Sequence, residues 1–373
     1  MAESTRLVDL VQLRVDEFVA ERTAELAAIA PELGQFTDVT RSFLSGGKRF
    51  RALFCYWGWN AVTSVSGDFD PLGAPATTAT LPAIVLAASA LEVFHAAALV
   101  HDDIMDNSDT RRGAPSAHKR FEAIHGAGRW SGDAGAFGRS SALLLGDLLL
   151  GWSDELFDQG TSLLADRSAA TAGRREFALM RTEVTAGQYL DILEESAWAT
   201  YPEAEALPRA HRVIVYKSAK YSIEAPLAIG AALGGAMPEQ LAALRAFGLP
   251  LGVAYQLRDD MLGVFGDPDV TGKPAGDDLR EGKRTVLVAL ARTKLPSHLR
   301  AVVDELLGDP DLDTTQVELI RTTFLECGAV DHVERIIDHN VDLARAAIQD
   351  APLAGSARVR LLELADTVTR RIA

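Results

Sequence analysis

Three aspartates end an apolar stretch near residue 100, and a second aspartate pair ends another such stretch near residue 260. The first group, Asp102, Asp103 and Asp106, follows LEVFHAAALVH, and the second, Asp259 and Asp260, follows GVAYQLR. If each stretch is a helix, Asp102 and Asp106 share a face, because residues four apart lie one turn apart. Neighbouring carboxylates repel each other, and their burial is costly. The pattern therefore predicts a bound cation, and Mg²⁺ suits it because this ion takes carboxylate and phosphate oxygens.

A DDxxD pattern alone fits a binding site and a solvated helix end equally well. The residues on either side of the first acidic group distinguish the two. The residues before it, 93–100, are almost all apolar, so the carboxylates are expected at the mouth of an apolar cavity. Arg111 and Arg112 follow shortly after. Adjacent guanidinium groups can each bind a phosphate with two hydrogen bonds. These flanks favour a site for phosphorylated ligands.

Short basic segments elsewhere in the chain add candidate anion-binding groups. In SGGKRFR, glycines allow close backbone approach to an anion, and Lys48 and Arg51 would share a face if a helix began there. This is not a Walker motif, and alone it is more often a simple basic helix start. In VYKSAKYSIEAPL, Lys217 is expected at the surface, whereas Lys220, one turn further on, could face a cavity.

The second aspartate pair has candidate partners on both sides. Gln256 precedes Asp259 by nearly one turn, and Lys273 and Lys283 flank the acidic segment that follows. Each of these could instead form an ordinary surface charge pair. The combination of two carboxylate groups on separate apolar helices with at least five basic residues favours a site.

Composition and charge exclude several classes of protein. The 373 residues carry 37 Lys+Arg and 52 Asp+Glu, a formal charge of −15, which argues against a nucleic-acid-binding protein. Cys55 and Cys327 have no metal-ligand spacing and are expected as packed, reduced thiols. The N-terminal segment lacks a signal-peptide pattern, and the apolar window 81–100 contains Glu92 and His95, so it predicts a core helix and no stable membrane insertion. These features predict a cytoplasmic protein.

The periodicity of apolar residues is close to 3.6 through most of the chain, which predicts an all-α fold in one large domain, 1–373. Segments 62–80, 126–138 and 266–282 break the pattern, and the last is a candidate lid. Helices are predicted over 5–30, 34–62, 81–106, 114–125, 139–163, 172–197, 208–236, 238–265, 283–294, 297–307, 314–327, 329–349 and 354–372.

The motifs taken together resemble the trans-type isoprenyl diphosphate synthases of the polyprenyl synthetase family. They occur in family order and span residues 46 to 285. The resemblance implies a single all-α bundle around a deep central cavity, usually in a homodimer. The matching segments are GGKRFR at 46–51, HAAALVHDDIMD at 95–106, DTRRG at 109–113, GQYLD at 187–191, YKSAK at 216–220 and QLRDDMLGVFGDPDVTGKPAGDDLREGKRT at 256–285.

The resemblance also implies roles for individual residues. Isopentenyl diphosphate would be bound by Lys48, Arg51, His95 and Arg112. Asp102 and Asp106 would be magnesium ligands with Asp103 in support, and Asp259 would hold the remaining ion of three. The catalytic residues would be these four aspartates with Asp260, Arg111 and Lys220. The allylic diphosphate would be held by Arg111, Lys220 and Lys273, with Gln256 against it and Lys283 as a weaker candidate.

Two departures from the family pattern concern the second half of the site. Gly263 stands where the family often has a third Asp, so a contact to a metal-bound water is in doubt. Tyr221 follows Lys220 where a Thr is common, so a hydroxyl contact is also in doubt.

Small side chains below the first acidic group bear on product length. Ala98 lies one turn before Asp102, with Ala97 beside it, and Phe94 lies one turn further down. Small residues at 97 and 98 would leave the upper cavity open, and Phe94 would form its floor. We therefore expect geranylgeranyl diphosphate as the product, with shorter farnesyl or longer polyprenyl products as alternatives.

Three rival interpretations are weaker. A class I terpene cyclase shares an all-α fold and a DDxxD motif, but it does not need the second diphosphate pocket that Lys48, Arg51, His95 and Arg112 would form. A non-catalytic subunit would be expected to lose metal ligands, and the aspartates are present. A helical scaffold leaves the grouped acids unexplained.

Overall fold

The structure, a computed structural model, describes residues 2–63, 75–267 and 276–369, without the side chains of 2–4 and 75–79. The predicted all-α class is confirmed: helices account for nearly all regular structure in the described ranges. The exception is a short antiparallel hairpin of β1 (Thr110–Arg111) and β2 (Ala114–Pro115).

The chain divides into two compact units, Met1–Arg174 with Ile229–Ala236, and Arg175–Ala228 with Met237–Ala373. In chain order the first helices are α1 (Ala2–Ile29), α2 (Gly34–Leu44), α3 (Phe50–Thr63), α4 (Pro75–Met105), α5 (Ala117–Ala127), α6 (Ala134–Ser162) and α7 (Arg167–Ala197). The following helices are α8 (Ala206–Val213), a π-helix (Ile214–Glu224), α9 (Ala225–Leu233), α10 (Pro238–Phe265), α11 (Asp277–Glu281), α12 (Val286–Lys294), α13 (Ser297–Leu306), α14 (Thr314–Glu326), α15 (Ala329–Gln349) and α16 (Gly355–Thr369). Short 3₁₀ turns span Pro31–Leu33, Trp198–Thr200 and Glu203–Glu205.

In the first unit, α4 packs along α6, and both helices are rich in small residues. Gly146, Ser153 and Gly160 recur every seven residues on α6 and face α4. A Cβ at Gly160 would lie 2.8 Å from the Ala83 carbonyl oxygen, and the Ser153 hydroxyl donates to the Ala90 carbonyl over 2.8 Å. Because small side chains let helices approach closely, this seam fixes α4, which carries the first acidic group.

In the second unit, α10 is the central helix. Its residues Val253, Leu257 and Val264 are buried against Val333 and Ile337 of α15, an apolar stripe of helical period on each partner. Its other face contacts the π-helix, where Gly252 packs against the backbone of Ala219. This packing fixes the end of α10, where the second aspartate pair lies.

Two predicted helices differ from the structure. Segment 34–62 is two helices, because Gly46 and Gly47 adopt positive φ angles of 70° and 91° and stop α2. Since α3 begins only at Phe50, Lys48 lies before the helix, and the condition under which Lys48 and Arg51 would share a helical face is not met. Segment 208–236 contains a π-helical stretch in its middle. Much of the predicted loop 62–80 and of the lid candidate 266–282 lies outside the described residues.

The apolar window predicted as a core helix lies within α4. The segment Thr80–Met105 is long and apolar enough to cross a membrane, but 78% of its most apolar window is buried inside the protein. Such burial is typical of a core helix. Neither cysteine forms a disulfide, as predicted: Cys55 is buried and Cys327 is partly buried.

Candidate active site

The C-terminal turn of α4 carries the first acidic group with Arg111 bound to it. A hydrogen bond of 2.8 Å from the Asp106 backbone N–H to the Asp102 carbonyl continues the helical turn, so the two side chains share a face as predicted. Asp103 is fully buried. Its Oδ1 accepts from Nε of Arg111 at 2.8 Å and from Nη2 of Arg111, and Nη2 lies 3.3 Å from Oδ2 of Asp102. Arg111 thus compensates two of the carboxylates.

The hairpin that follows presents Arg112 next to Arg111. Thr110 pairs with Pro115 and Arg111 with Ala114, which leaves Arg112 and Gly113 as a two-residue loop. Both loop residues have positive φ, 55° and 73°, the conformation of a type I′ turn. Glycine adopts it easily, whereas arginine does so at a cost of about 1 kcal/mol. The turn holds the Arg112 guanidinium against Gly47, 3.6 Å from the position of an added Cβ.

The loop between α2 and α3 presents Lys48, which is exposed and lies 6.0 Å from the centre of the Phe50 ring. Arg51, in the first turn of α3, is partly buried. Between them, Arg49 turns inward and is buried, with a positive φ of 50°. Sequence reasoning did not single out Arg49, because its partner on α4 is distant in the chain. That partner is Glu92, and a glutamate inside an apolar helix was the sequence feature that could have indicated a buried basic partner.

His95 lies on α4 two turns before Asp102 and is partly buried. Its pKa is lowered well below the ordinary value of 6.5, first by burial and then by the positive charges of Arg51 and Arg112. His95 is therefore a neutral imidazole near neutral pH. The pKa of Arg112 is also lowered, by burial and by the charge of Arg49. The sequence-predicted residues Arg51, His95 and Arg112 therefore interact within one cationic region.

The three predicted chain-length residues differ in accessibility. Ala97 is fully buried in the helix packing, and Phe94 is 4% exposed. Ala98 is partly exposed and shares a face with Asp102, because the two are four residues apart. Of the two alanines, Ala98 is therefore the one next to accessible space.

In the second unit, Asp259 is exposed and Asp260 is buried at the end of α10. Nε2 of Gln256 donates to Oδ1 of Asp260 over 2.7 Å. The pKa of Asp260 is raised to about 8, chiefly by burial and also by the charges of Asp278 and Asp259, whereas the Gln256 hydrogen bond lowers it. Gln256 thus contacts Asp260 of the second aspartate pair directly.

Gly263 lies next to the carboxylate of Asp278. An added Cβ at position 263 would overlap that carboxylate. Asp278 belongs to α11, as does Glu281, and Nζ of Lys283 lies 2.6 Å from Oε2 of Glu281 and 3.9 Å from Oδ1 of Asp278. The space of the absent third aspartate is therefore filled by another carboxylate. Lys273 lies outside the described residues.

The π-helix directs two lysines toward carboxylates of α7. Lys220 pairs with Glu183, and Nζ of Lys217 lies 2.5 Å from Oδ2 of Asp191. Both lysines are partly buried, so the expected surface position of Lys217 is wrong. Gly187 packs on the backbone at Lys217, where any Cβ would overlap it. The segments GQYLD and YKSAK are thereby in contact, and π-helical stretches occur often at functional sites.

The carboxylates present fit magnesium. Among residues 2–63, 75–267 and 276–369, no three His, Cys, Asp or Glu side chains are grouped closely enough to form a complete metal site. Mg²⁺ does not require one, since it binds through one or two carboxylates together with water and substrate phosphates. Asp102 and Asp106 offer two hard oxygen donors on one face. The pKa of Asp260 is raised mainly by burial and also by the charges of Asp278 and Asp259, and a cation would relieve that repulsion.

Comparison with known proteins agrees with these features. The geranylfarnesyl diphosphate synthase of Aeropyrum pernix is 31% identical over 291 residues, 78% of this chain and 83% of the relative. The geranylgeranyl diphosphate synthase of Methanosarcina mazei is 30% identical over 305 residues, 80% of this chain and 83% of the relative. The crystal structure of geranylgeranyl pyrophosphate synthase from Corynebacterium glutamicum, complexed with isoprenyl diphosphate and magnesium, superposes with a TM-score of 0.89 at 35% identity and covers 98% of this chain and 99% of that one. Residues 34–323 match the polyprenyl synthetase family, and the chain belongs to that family.

Proposed function

We propose that the protein is a magnesium-dependent trans-prenyltransferase that condenses isopentenyl diphosphate with an allylic diphosphate and releases geranylgeranyl diphosphate. The observation that carries the proposal is the end of α4, where Asp102 and Asp106 share a face. The cationic region around His95 supports a second, separate diphosphate subsite. A terpene cyclase has no use for such a subsite.

The cationic region is assigned to isopentenyl diphosphate. Lys48, Arg51 and Arg112 supply positive charge, and Arg112 can bind phosphate oxygens through two parallel hydrogen bonds. His95, kept neutral by its surroundings, can donate one hydrogen bond without adding to the repulsion among the cations. These residues position the double bond of isopentenyl diphosphate for attack.

The allylic diphosphate is assigned to Arg111, Lys220 and Lys273, with Gln256 and Lys283 near the second aspartate pair. Arg111 and Lys220 are bound to carboxylates in the structure. On ligand binding, phosphate oxygens would replace or share these carboxylate contacts. The paired state keeps both cations ordered before the ligand arrives.

The reaction breaks the allylic C–O bond, so that the bonding pair leaves with the diphosphate and a carbocation remains. The double bond of isopentenyl diphosphate attacks this cation and forms the new C–C bond, and the departing diphosphate accepts the proton that is lost. Bound magnesium would neutralise charge on the leaving group. Asp102, Asp106 and Asp259 would hold the ions. The buried Asp103 binds Arg111, and the buried Asp260 accepts a hydrogen bond from Gln256. The apolar residues of α4 exclude water from the cation.

The finer features belong to the same proposal. We assign three magnesium ions, a homodimer, a cytoplasmic location and a single catalytic domain made of both compact units. The family match at 34–323 spans both units, which supports one domain. Leu143 and Leu144 on α6 are 51% and 59% exposed, and a second copy would cover them.

Product analysis tests the proposal. Purified protein is incubated with Mg²⁺, labelled isopentenyl diphosphate and dimethylallyl, geranyl or farnesyl diphosphate, and the products are sized by mass spectrometry. We expect geranylgeranyl diphosphate, with kcat/KM lowered by at least about a thousandfold in Asp102→Asn and Asp259→Asn, because lost charge stabilisation of this kind costs several kcal/mol. Asp38→Asn, at an exposed position on α2, is the control. Hydrocarbon formation without consumption of isopentenyl diphosphate would instead identify a cyclase.

A further inference from the structure

A buried ion pair joins the loop of Lys48 to α4 in the first unit. Nη1 of Arg49 lies 3.1 Å from Oε2 of Glu92, and the two side chains are each 5% exposed. The remaining Glu92 oxygen, Oε1, accepts from the backbone N–H of Ala52 at 3.2 Å. One carboxylate therefore binds both the loop and the first turn of α3.

The Arg49 guanidinium reaches two further elements. Its Nη2 donates to Oε1 of Gln12 on α1 at 2.5 Å and to the carbonyl oxygen of Leu44, the last residue of α2. Arg49 thus ties α1, the end of α2 and α4 together. Its own backbone is in the left-handed region, which is unfavourable for a non-glycine residue and persists only where surrounding contacts impose it.

The residues on either side of Arg49 are those assigned to isopentenyl diphosphate. Lys48 precedes it, Arg51 follows in the first turn of α3, and Gly47 lies under the Arg112 guanidinium. Glu92 lies three residues before His95 on the same face of α4. A shift of this loop would therefore displace several groups of the subsite together.

We infer that the Arg49–Glu92 pair is the positioning element of the isopentenyl diphosphate subsite: it touches no substrate, and it fixes Lys48, Arg51 and the Gly47–Arg112 contact in their binding geometry. The inference rests on the proposed function. A buried ion pair contributes little net stability compared with apolar residues of similar size, because desolvation offsets the attraction. Replacing both partners with apolar residues would therefore remove mainly the fixed geometry that the ion pair imposes on the loop.

The test compares Arg49→Met, Glu92→Leu and the double variant with the unmodified protein. Each single variant leaves one buried charge uncompensated, so its melting temperature should fall, whereas the double variant should recover most of the loss. In the double variant we expect KM for isopentenyl diphosphate to stay raised by at least about tenfold, because small displacements of binding groups weaken substrate positioning strongly. KM for the allylic diphosphate should change by less than about twofold, since that substrate is assigned to other residues. The pair of substitutions Asp38→Asn and Arg41→Gln, at an exposed ion pair, is the matched control.

A purely structural role predicts a different result: KM for isopentenyl diphosphate would return to the unmodified value together with the melting temperature, and the inference would be overturned. If the double variant does not fold, Glu92→Gln serves instead, because it keeps the acceptor for Ala52 and removes the charge. It should raise the same KM and leave the allylic KM unchanged, and an unchanged KM for isopentenyl diphosphate would again overturn the inference.

Calorimetric titration with isopentenyl diphosphate alone separates this inference from the proposed function. If the unmodified protein binds it and the double variant binds it equally well, the inference fails and the function stands. If the unmodified protein does not bind isopentenyl diphosphate, the proposed function is contradicted, and the inference that rests on it is contradicted as well.

Discussion

The carboxylate of Asp278 occupies the space beside Gly263 that a side chain at position 263 would need. Because of this contact, the side chain that position 263 can accommodate depends on the residue at position 278, which is 15 positions further along the chain. Position 263 carries glycine where the family often has aspartate, and a carboxylate from the short helix α11 lies in the space beside it.

The first prediction follows from that coupling. Gly263→Ala should lower the free energy of unfolding by about 1–3 kcal/mol, because the new Cβ overlaps Asp278. The double variant Gly263→Ala, Asp278→Ala should recover part of the loss, and urea unfolding measures both. Gly151→Ala on α6 is the control, since nothing lies within 4 Å of its added Cβ. That control should gain up to about 1 kcal/mol of stability through helix propensity. Equal stability of Gly263→Ala and the unmodified protein would contradict the coupling.

The second prediction concerns product length. Ala98→Phe should shorten the product to farnesyl diphosphate, because Ala98 is partly exposed on the face of Asp102. Phe94→Ala should lengthen it, since Phe94 lies one turn further from Asp102 on that face. Ala97→Phe should instead lower stability and yield, because Ala97 is fully buried. Chromatography of the dephosphorylated products distinguishes these outcomes. Unchanged product length in both Ala98→Phe and Phe94→Ala would place the length determinant elsewhere.

The third prediction is a pH dependence of stability that comes from His95. The folded protein keeps this imidazole neutral because its pKa is lowered, whereas the unfolded chain binds a proton near pH 6.5. Stability should therefore decline as the pH falls below 6.5, by on the order of 1 kcal/mol for this group between pH 7.5 and 5.5.

His95→Asn should remove that part of the decline, measured by urea unfolding at the two pH values. His118, whose pKa is also lowered, contributes a decline of the same sign in both proteins. The same substitution at His339, which is exposed on α15, controls for the loss of a histidine. A decline of equal size in His95→Asn and the unmodified protein would show that folding does not lower the pKa of His95.

The fourth prediction concerns the two thiols. Burial raises the pKa of Cys55 to about 12, so almost no thiolate exists at pH 8, and the group is shielded from reagents. We expect a disulfide reagent to modify Cys327 in the native protein and Cys55 only after unfolding. A colorimetric thiol count with and without denaturant, with Cys327→Ser as the reference, measures this. Fast reaction of Cys55 in native Cys327→Ser would contradict the burial.

The sequence predicted the all-α class, the family and the class of enzyme correctly, because these depend on repeated patterns. Apolar residues of helical period specify α4 and α10, and the aspartates at their ends are motifs of fixed spacing. Asp102 and Asp106 share a face as expected, since that relationship is local. Local patterns were therefore sufficient to predict the fold class and the position of the first acidic group.

The errors have a common cause in long-range contacts and backbone conformation. The position of Lys48 outside a helix depends on the left-handed Gly46 and Gly47, which end α2. The partly buried position of Lys217 depends on Asp191, 26 residues away, and the buried position of Arg49 depends on Glu92, 43 residues away. Pairings of this kind are not visible in the spacing of residues along one helix.

The turn at Arg112 and Gly113 has a consequence for engineering the protein. Asparagine followed by glycine is the pair best suited to a two-residue loop of this type. A selection for heat resistance alone would therefore favour asparagine at position 112, with a gain of up to about 1 kcal/mol. If Arg112 binds isopentenyl diphosphate as proposed, such a protein would be more stable and would bind that substrate less tightly. At position 112, the residue best for thermal stability therefore differs from the residue proposed for substrate binding.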